Sequence, residues 1–299
     1  MIVERGLRRG DVVALVSPAG PASPEALDRA AAELADWGLV VDRLDSVRPV
    51  RKYLADTDAR RAGLFQAAWT DPVVTAVIAA RGGYGTHRIL DLLDWEALRA
   101  AGPKIFAGSS DLTALHQAIE AHLGLPTLFS PMPAATFWDE EAKRHLHRAL
   151  WAPGEEIVFS GLETVVPGTA RGVLTGGTLS VLAAGAGAPE YRPPEGAIAV
   201  FEDIAEAPYR IDRLLTQLSR SGWFGKVSGI ALGSWFRCGD PGEVRAVLLD
   251  RLGTLGVPVV GDLRFGHCPG AVTLPFGTRA VLDAEAGTLT VRGWATGAS

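Results

Sequence analysis

Short apolar runs alternate with segments of helical spacing through the first half of this chain. That alternation restricts the fold more than any single motif does. Asp11-Val12-Val13-Ala14-Leu15-Val16 is nearly continuous in apolar residues, as expected of a strand covered on both faces. After the turn Ser17-Pro18-Ala19-Gly20-Pro21, the spacing of Leu27, Ala31, Leu34 and Trp37 predicts a helix from about Ser23. Leu39-Val40-Val41 reads as a second strand, 47–57 as a loop, Asp58 to Trp69 as a helix and Val73 to Ala79 as another buried strand. A helix is predicted over Thr86 to Leu93, and strands at Ile105-Phe106-Ala107 and Thr127-Leu128-Phe129. Strands alternating with helices imply a parallel α/β layer structure, with function at the carboxyl ends of the strands.

The 299 residues correspond to about two domains. A charged helix from Asp139 to Leu150 leads out of the first, and Trp151-Ala152-Pro153-Gly154 marks a boundary. The expected division is an N-terminal parallel-sheet α/β domain over 1–150, a connecting region over 151–169, and a C-terminal α/β domain with a mixed sheet over 170–299. Residues 157–174 suggest short strands with Gly and Pro turns, and Gly176-Gly177-Thr178-Leu179-Ser180 reads as the start of a small-residue helix. A strand over Ala197 to Phe201 ends in Glu202-Asp203, and a helix starts at Pro208. Then come a strand over Gly229 to Trp235, a helix over Asp240 to Leu252 and a short strand at Pro258-Val259-Val260. Arg279 to Asp283 and Thr288 to Val291 are expected to be antiparallel strands.

A net charge of -5 gives no reason to expect nucleic acid or an anionic membrane as partner. No apolar run approaches the ~18 residues of a membrane span, and the first is too short for a secretory leader, so neither is expected. Cys238 and Cys268 are far apart and form no CxxC, which suits a reducing, cytoplasmic setting. The chain has no HExxH and no clustered Cys/His spacing, so no metal is expected.

The chemistry-bearing stretch is Gly108-Ser109-Ser110-Asp111-Leu112-Thr113, between a buried strand and a helix. A serine at such a turn presents its hydroxyl beside free N–H groups and the positive helix end, which suits a nucleophile. The same residue types also cap helices. Arg81-Gly82-Gly83-Tyr84-Gly85 closes the preceding strand, and its N–H groups could cradle an anion or serve as a tight turn. A serine nucleophile needs a base. His116, His122, His145 and His147 fall on predicted helices and are expected at the surface, and His87 follows the glycine loop. His267 lies in a Gly/Pro-rich loop after a strand, where a side chain can face a cleft. Glu202 and Asp203 end a strand, where an α/β site collects its polar groups.

In their order and intervals these stretches resemble the LD-carboxypeptidase family of serine peptidases (muramoyltetrapeptide carboxypeptidases), which includes the microcin-immunity peptidases. The resemblance rests on Gly10-Asp11 with Ser17-Pro18, Tyr53-Leu54-Ala55-Asp56-Thr57-Asp58 with Arg60 or Arg61, and Ala80-Arg81-Gly82-Gly83-Tyr84-Gly85. It continues through Gly108 to Leu115, Gly176-Gly177-Thr178-Leu179, Glu202-Asp203, Pro208-Tyr209-Arg210-Ile211-Asp212-Arg213 and Phe265-Gly266-His267. It implies an active site between the two domains, with Ser110 as nucleophile, Glu202 as orienting carboxylate and His267 as general base. The implied oxyanion hole uses backbone N–H groups of Asp111 and of Gly82 or Gly83. Arg81, Tyr84 and Thr178 are the expected substrate-binding residues. The implied reaction is metal-free and cofactor-free hydrolysis of the amide between an L-centre and a terminal D-residue, releasing D-Ala from a muropeptide tetrapeptide in the cytoplasm. A homodimer is implied as well. Three positions depart from the family pattern: Ser109 stands where an aromatic is usual, Phe129-Ser130 where His-Gly is usual, and Thr178 where Asn is usual. Competing expectations are a microcin-immunity-type peptidase acting on an aminoacyl-nucleotide antibiotic, and a non-catalytic binding protein for a cell-wall peptide.

Overall fold

The computed structural model describes residues 5–44 and 51–295, so the start of the predicted 47–57 loop lies outside it. The first half runs β1 (Val12–Val16), α1 (Pro24–Asp36), β2 (Val40–Leu44), α2 (Asp58–Thr70), β3 (Val74–Ala79), α3 (Trp95–Ala100), β4 (Ile105–Gly108), α4 (Thr113–Leu123), β5 (Thr127–Phe129) and α5 (Glu140–Trp151). The second half runs β6 (Ile157–Ser160), β7 (Glu163–Val166), β8 (Thr169–Thr178), α6 (Leu179–Gly185), β9 (Ala197–Ile204), α7 (Pro208–Arg220), β10 (Val227–Phe236), α8 (Pro241–Leu252), β11 (Val259–Gly261), β12 (Leu274–Phe276), β13 (Arg279–Asp283) and β14 (Thr288–Val291).

One sheet has the order β12-β5-β4-β3-β1-β2. Its strands are parallel except β12, which pairs antiparallel with β5. The reading by apolar runs holds here because these strands are buried on both faces: Val13, Ala14, Leu15 and Ile78 are almost inaccessible, and Phe106 packs edge-on against Phe65 of α2. β12 was not expected. It is three residues long and contains Pro275, tolerable on an edge strand.

The second sheet is mixed, with the order β6-β14-β13-β8-β9-β10-β11-β7. Strands β8 to β11 are parallel, and β6, β14, β13 and β7 join antiparallel. Its two edge strands, β6 and β7, are consecutive in the chain and joined by Gly161-Leu162 alone. So short a link forces the sheet to curl until its edges are neighbours. Leu174, Ile198, Val200, Phe265, Leu274, Phe276, Leu282 and Leu289 fill the enclosed core. No helix among the described residues is long and apolar enough to cross a membrane.

Three expectations are corrected. The segment 86–93 is not one helix but two single turns, Thr86–Arg88 and Leu90–Leu92, in which N–H groups bond three residues back (Ile89 to Thr86, Leu93 to Leu90), while the free Thr86 N–H at the start is taken by Asp111. Gly176-Gly177-Thr178 ends β8 rather than starting α6; the missing Cβ of Gly176 lets β8 lie against the Val200 backbone of β9. His116 is 1% exposed, since both domains cover α4. Its Nε2–H donates to the Gly108 carbonyl at 2.9 Å and its Nδ1 accepts from the Thr127 hydroxyl at 2.7 Å.

Burial lowers the His116 pKa to about 4, outweighing the Gly108 hydrogen bond that raises it. The unfolded chain therefore binds this proton at a higher pH than the folded one. His116 loses stabilising power as pH falls from about 6.5 toward 4. The stability advantage of wild type over His116→Gln, measured by urea unfolding, is expected to shrink by up to roughly 3 kcal/mol across that window.

Candidate active site

β4 ends at Gly108, where an added Cβ would fall 3.1 Å from both Ala79 Cβ and Leu112 Cγ. The chain then turns into α4 through Ser110, which has φ 63, a left-handed conformation that strains a non-glycine residue. The Ser110 side chain does not cap the helix; its hydroxyl donates to His267 Nε2 at 3.1 Å. His267 Nδ1–H donates to Glu202 Oε2 at 2.7 Å, and the His267 backbone N–H reaches the same oxygen at 3.1 Å. Glu202 is 0% exposed, and its other oxygen, Oε1, accepts from the Thr178 hydroxyl. Serine, histidine and glutamate, 157 and 65 residues apart in sequence, thus form one hydrogen-bonded series.

Each member is held by its own element. Glu202 lies near the end of β9, in register with Thr178 of β8. His267 sits in the loop after β11. Gly266 in that loop has φ 87 and abuts the Glu202 carboxyl, so no larger residue fits. The loop is tied back by the Ser234 hydroxyl donating to the His267 carbonyl at 2.9 Å. Across the domain boundary, Arg264 forms a two-pronged pair with Glu141 at 2.8 and 2.5 Å, and the Gly270 N–H donates to Asp139 at 2.7 Å.

The glycine loop lies against the serine. A Cβ on Gly82 would fall 2.8 Å from Ser110 Cβ and 3.0 Å from its Oγ. Asp111 is buried, and its carboxylate accepts from the Thr86 N–H and hydroxyl at 2.8 Å each, fixing the glycine loop to the serine turn. Arg61, rather than Arg60, braces that loop from beneath: its guanidinium donates to the carbonyls of Gly85 (2.9 Å) and Pro18 and pairs with Asp58 at 2.5 Å.

A cleft of about 340 Å³ opens over this arrangement, lined by Arg81, Gly82, Gly83, Ser109, Ser110 and His267, with Met132 and Phe137 on one wall. Arg81 is exposed, donates to the Pro21 carbonyl at 2.9 Å and pairs with no carboxylate among the described residues. Tyr84 stands half exposed against Tyr53 and is not a lining residue. Thr178 is 3% exposed and lies behind Glu202, away from the cleft lining, so its side chain serves the carboxylate instead. Sequence reading missed Thr86 and Thr113, for which spacing carries no signal. Among the described residues, no group of three His, Cys, Asp or Glu is placed to hold a metal ion.

Fold and site together define a two-domain α/β protein with a hydrogen-bonded serine–histidine–glutamate series beneath a cleft. The chain belongs to the LD-carboxypeptidase family: residues 13–130 match its N-terminal domain and 171–282 its C-terminal domain. It is 51% identical over 296 residues to a Streptomyces coelicolor relative provisionally named a carboxypeptidase, covering 95% of this chain and 94% of that one. It is 30% identical over 287 residues to the murein tetrapeptide carboxypeptidase of Pseudomonas aeruginosa, covering 91% and 92%. The crystal structure of muramoyltetrapeptide carboxypeptidase from Oxalobacter formigenes superposes with a TM-score of 0.84 at 32% identity, covering 95% of this chain and 100% of that one. The microcin C7 self-immunity protein shares the fold, with a TM-score of 0.85 at 22% identity and coverage of 99% and 100%.

Burial pulls the His267 pKa down, but the charge and hydrogen bond of Glu202, with the charge of Asp203, raise it above its ordinary 6.5. The imidazole must be neutral to accept the Ser110 proton. Labelling of Ser110 by a fluorophosphonate is therefore expected to fall on the acid side through an apparent pKa above 6.5, read from labelling rate against pH. Gly82→Ala should slow the same labelling about a hundredfold by displacing the hydroxyl.

Proposed function

We propose that this protein is a serine LD-carboxypeptidase that removes the terminal D-Ala from the tetrapeptide of a muropeptide. The observation that carries the reading is the hydrogen-bonded series Ser110–His267–Glu202 at the floor of the cleft. The names murein tetrapeptide carboxypeptidase, at 30% identity, and muramoyltetrapeptide carboxypeptidase, at 32%, support the substrate. Ser110 attacks the scissile carbonyl carbon while His267 Nε2 takes its proton. Glu202 holds the imidazole in the tautomer that presents Nε2 and stabilises the imidazolium. The developing oxyanion is met by the Asp111 N–H and an N–H of Gly82 or Gly83. His267 then protonates the departing amine of D-Ala, leaving an acyl-enzyme. Water, deprotonated by the same imidazole, releases the shortened peptide. Arg81, exposed at the cleft without an acidic partner, receives the free terminal carboxylate. The setting in this reading is cytoplasmic and the assembly a homodimer. Residues 1–150 contribute the nucleophile and 170–299 the acid and base.

Mass spectrometry of a muropeptide tetrapeptide tests this directly. Wild type is expected to release one D-Ala, and Ser110→Ala none. An intact tetrapeptide with a Ser110 that still labels would keep the nucleophile and overturn the substrate, with aminoacyl-nucleotide analogues next to try. Arg81→Ala is expected to raise KM about tenfold or more with a smaller change in kcat, since a charge-assisted bond to the carboxylate is lost.

A further inference from the structure

The nucleophile and its partners come from different domains, so something must keep them in register. Behind the cleft, three hydrogen bonds run from one to the other through two buried threonines. The Thr178 hydroxyl donates to Glu202 Oε1. The Thr178 backbone N–H donates to Thr113 Oγ1 at 3.1 Å. The Thr113 hydroxyl, its oxygen accepting that N–H, donates its one proton to the Ser110 carbonyl at 2.7 Å. Thr113 is 0% exposed and Thr178 3%, so water does not readily substitute for either. Gly177, with φ 127, permits the approach, because a Cβ there would fall 2.6 Å from Thr113 Oγ1. On the far side, Asp203 accepts from the Ser180 N–H at 2.7 Å and its hydroxyl at 3.2 Å, pinning the turn that carries Thr178.

We propose that Thr113 and Thr178 are positioning residues that lock Glu202 and Ser110 in register across the domain boundary. The proposal rests on Ser110 being the nucleophile. Without the Thr178 hydroxyl, Oε1 loses its donor, and the undiminished carboxylate charge acts on His267. The other charged groups near His267 are Asp203 on β9, whose carboxyl burial pushes up to about 7 so that it titrates over the same range, and Arg81, which lines the same cleft. Neither changes in the variants, so stronger stabilisation of the imidazolium should move the acid limb to higher pH.

The test is the rate of fluorophosphonate labelling against pH, with kcat and KM for tetrapeptide cleavage measured alongside. Thr178→Val and Thr113→Val are each expected to slow labelling at least about tenfold. In both, kcat should fall while KM holds. Thr178→Val should also shift the acid limb upward. Thr178→Ser and Thr113→Ser, which keep the hydroxyls, should stay near wild type. The double Val variant should be no slower than the slower single one, because one broken link already opens the bridge. If a Val variant does not fold by circular dichroism, the Ala variant removes the same hydroxyl without the overlarge methyl. Wild-type rates and pH profile in the folded variants would overturn the proposal, as would fully additive losses. Labelling of Ser110→Ala would instead overturn the assignment of the nucleophile, which separates the two failures.

Discussion

A carboxylate with no solvent exposure sits at the centre of this protein, and its requirement for donors organises what surrounds it. An unpaired ion in that position would be strongly destabilising. Glu202 meets the requirement with two N–H groups of His267 and the hydroxyl of Thr178. Satisfying it fixes the orientation of His267, and His267 in turn holds the Ser110 hydroxyl. The same constraint explains Gly266, where any side chain would overlap the carboxyl. The charge thus acts twice, as a structural anchor and as the source of the raised basicity of the imidazole.

Assembly of the series depends on the two sheets being joined. β12 lies in the C-terminal half of the chain but completes the sheet of the N-terminal half beside β5. The loop that presents His267 runs directly into it. The Arg264–Glu141 pair and the Gly270–Asp139 hydrogen bond attach this loop to the first turn of α5. Arg264 is exposed and Glu141 only half-buried, so the pair contributes little stability alone; it acts with the backbone contact beside it. Helix α4 sits between the two halves, covered by both, which is why its His116 is internal although its neighbours Gln117 and Glu120 are polar.

How much of this was legible varies with the range of the interaction concerned. The strands β1, β3, β4 and β5 announce themselves by nearly continuous apolar runs, since burial on both faces leaves few polar positions, Thr75 and Thr127 among them. The closing hairpin of β13 and β14 was read to the residue because alternation survives in strands with one covered face. Gly176-Gly177-Thr178 misled because small residues suit a helix start as well as a close approach of strands, and only the position of β9 distinguishes them. β12 left no trace, because three residues including a proline carry too short a pattern.

The sequence by itself determined the alternating α/β architecture and, through a set of motifs in fixed order, the family and the identities of Ser110, Glu202 and His267 as a candidate set. These are properties of local pattern and composition, written in neighbouring residues. Only the tertiary structure decided that the three side chains meet, that Thr178 supports the carboxylate instead of facing the cleft, and that Thr113 ties it to the serine turn. Those outcomes depend on which backbone surfaces come within hydrogen-bonding distance across the domain boundary. A directional interaction effective only near 3 Å leaves no periodicity in the chain that makes it.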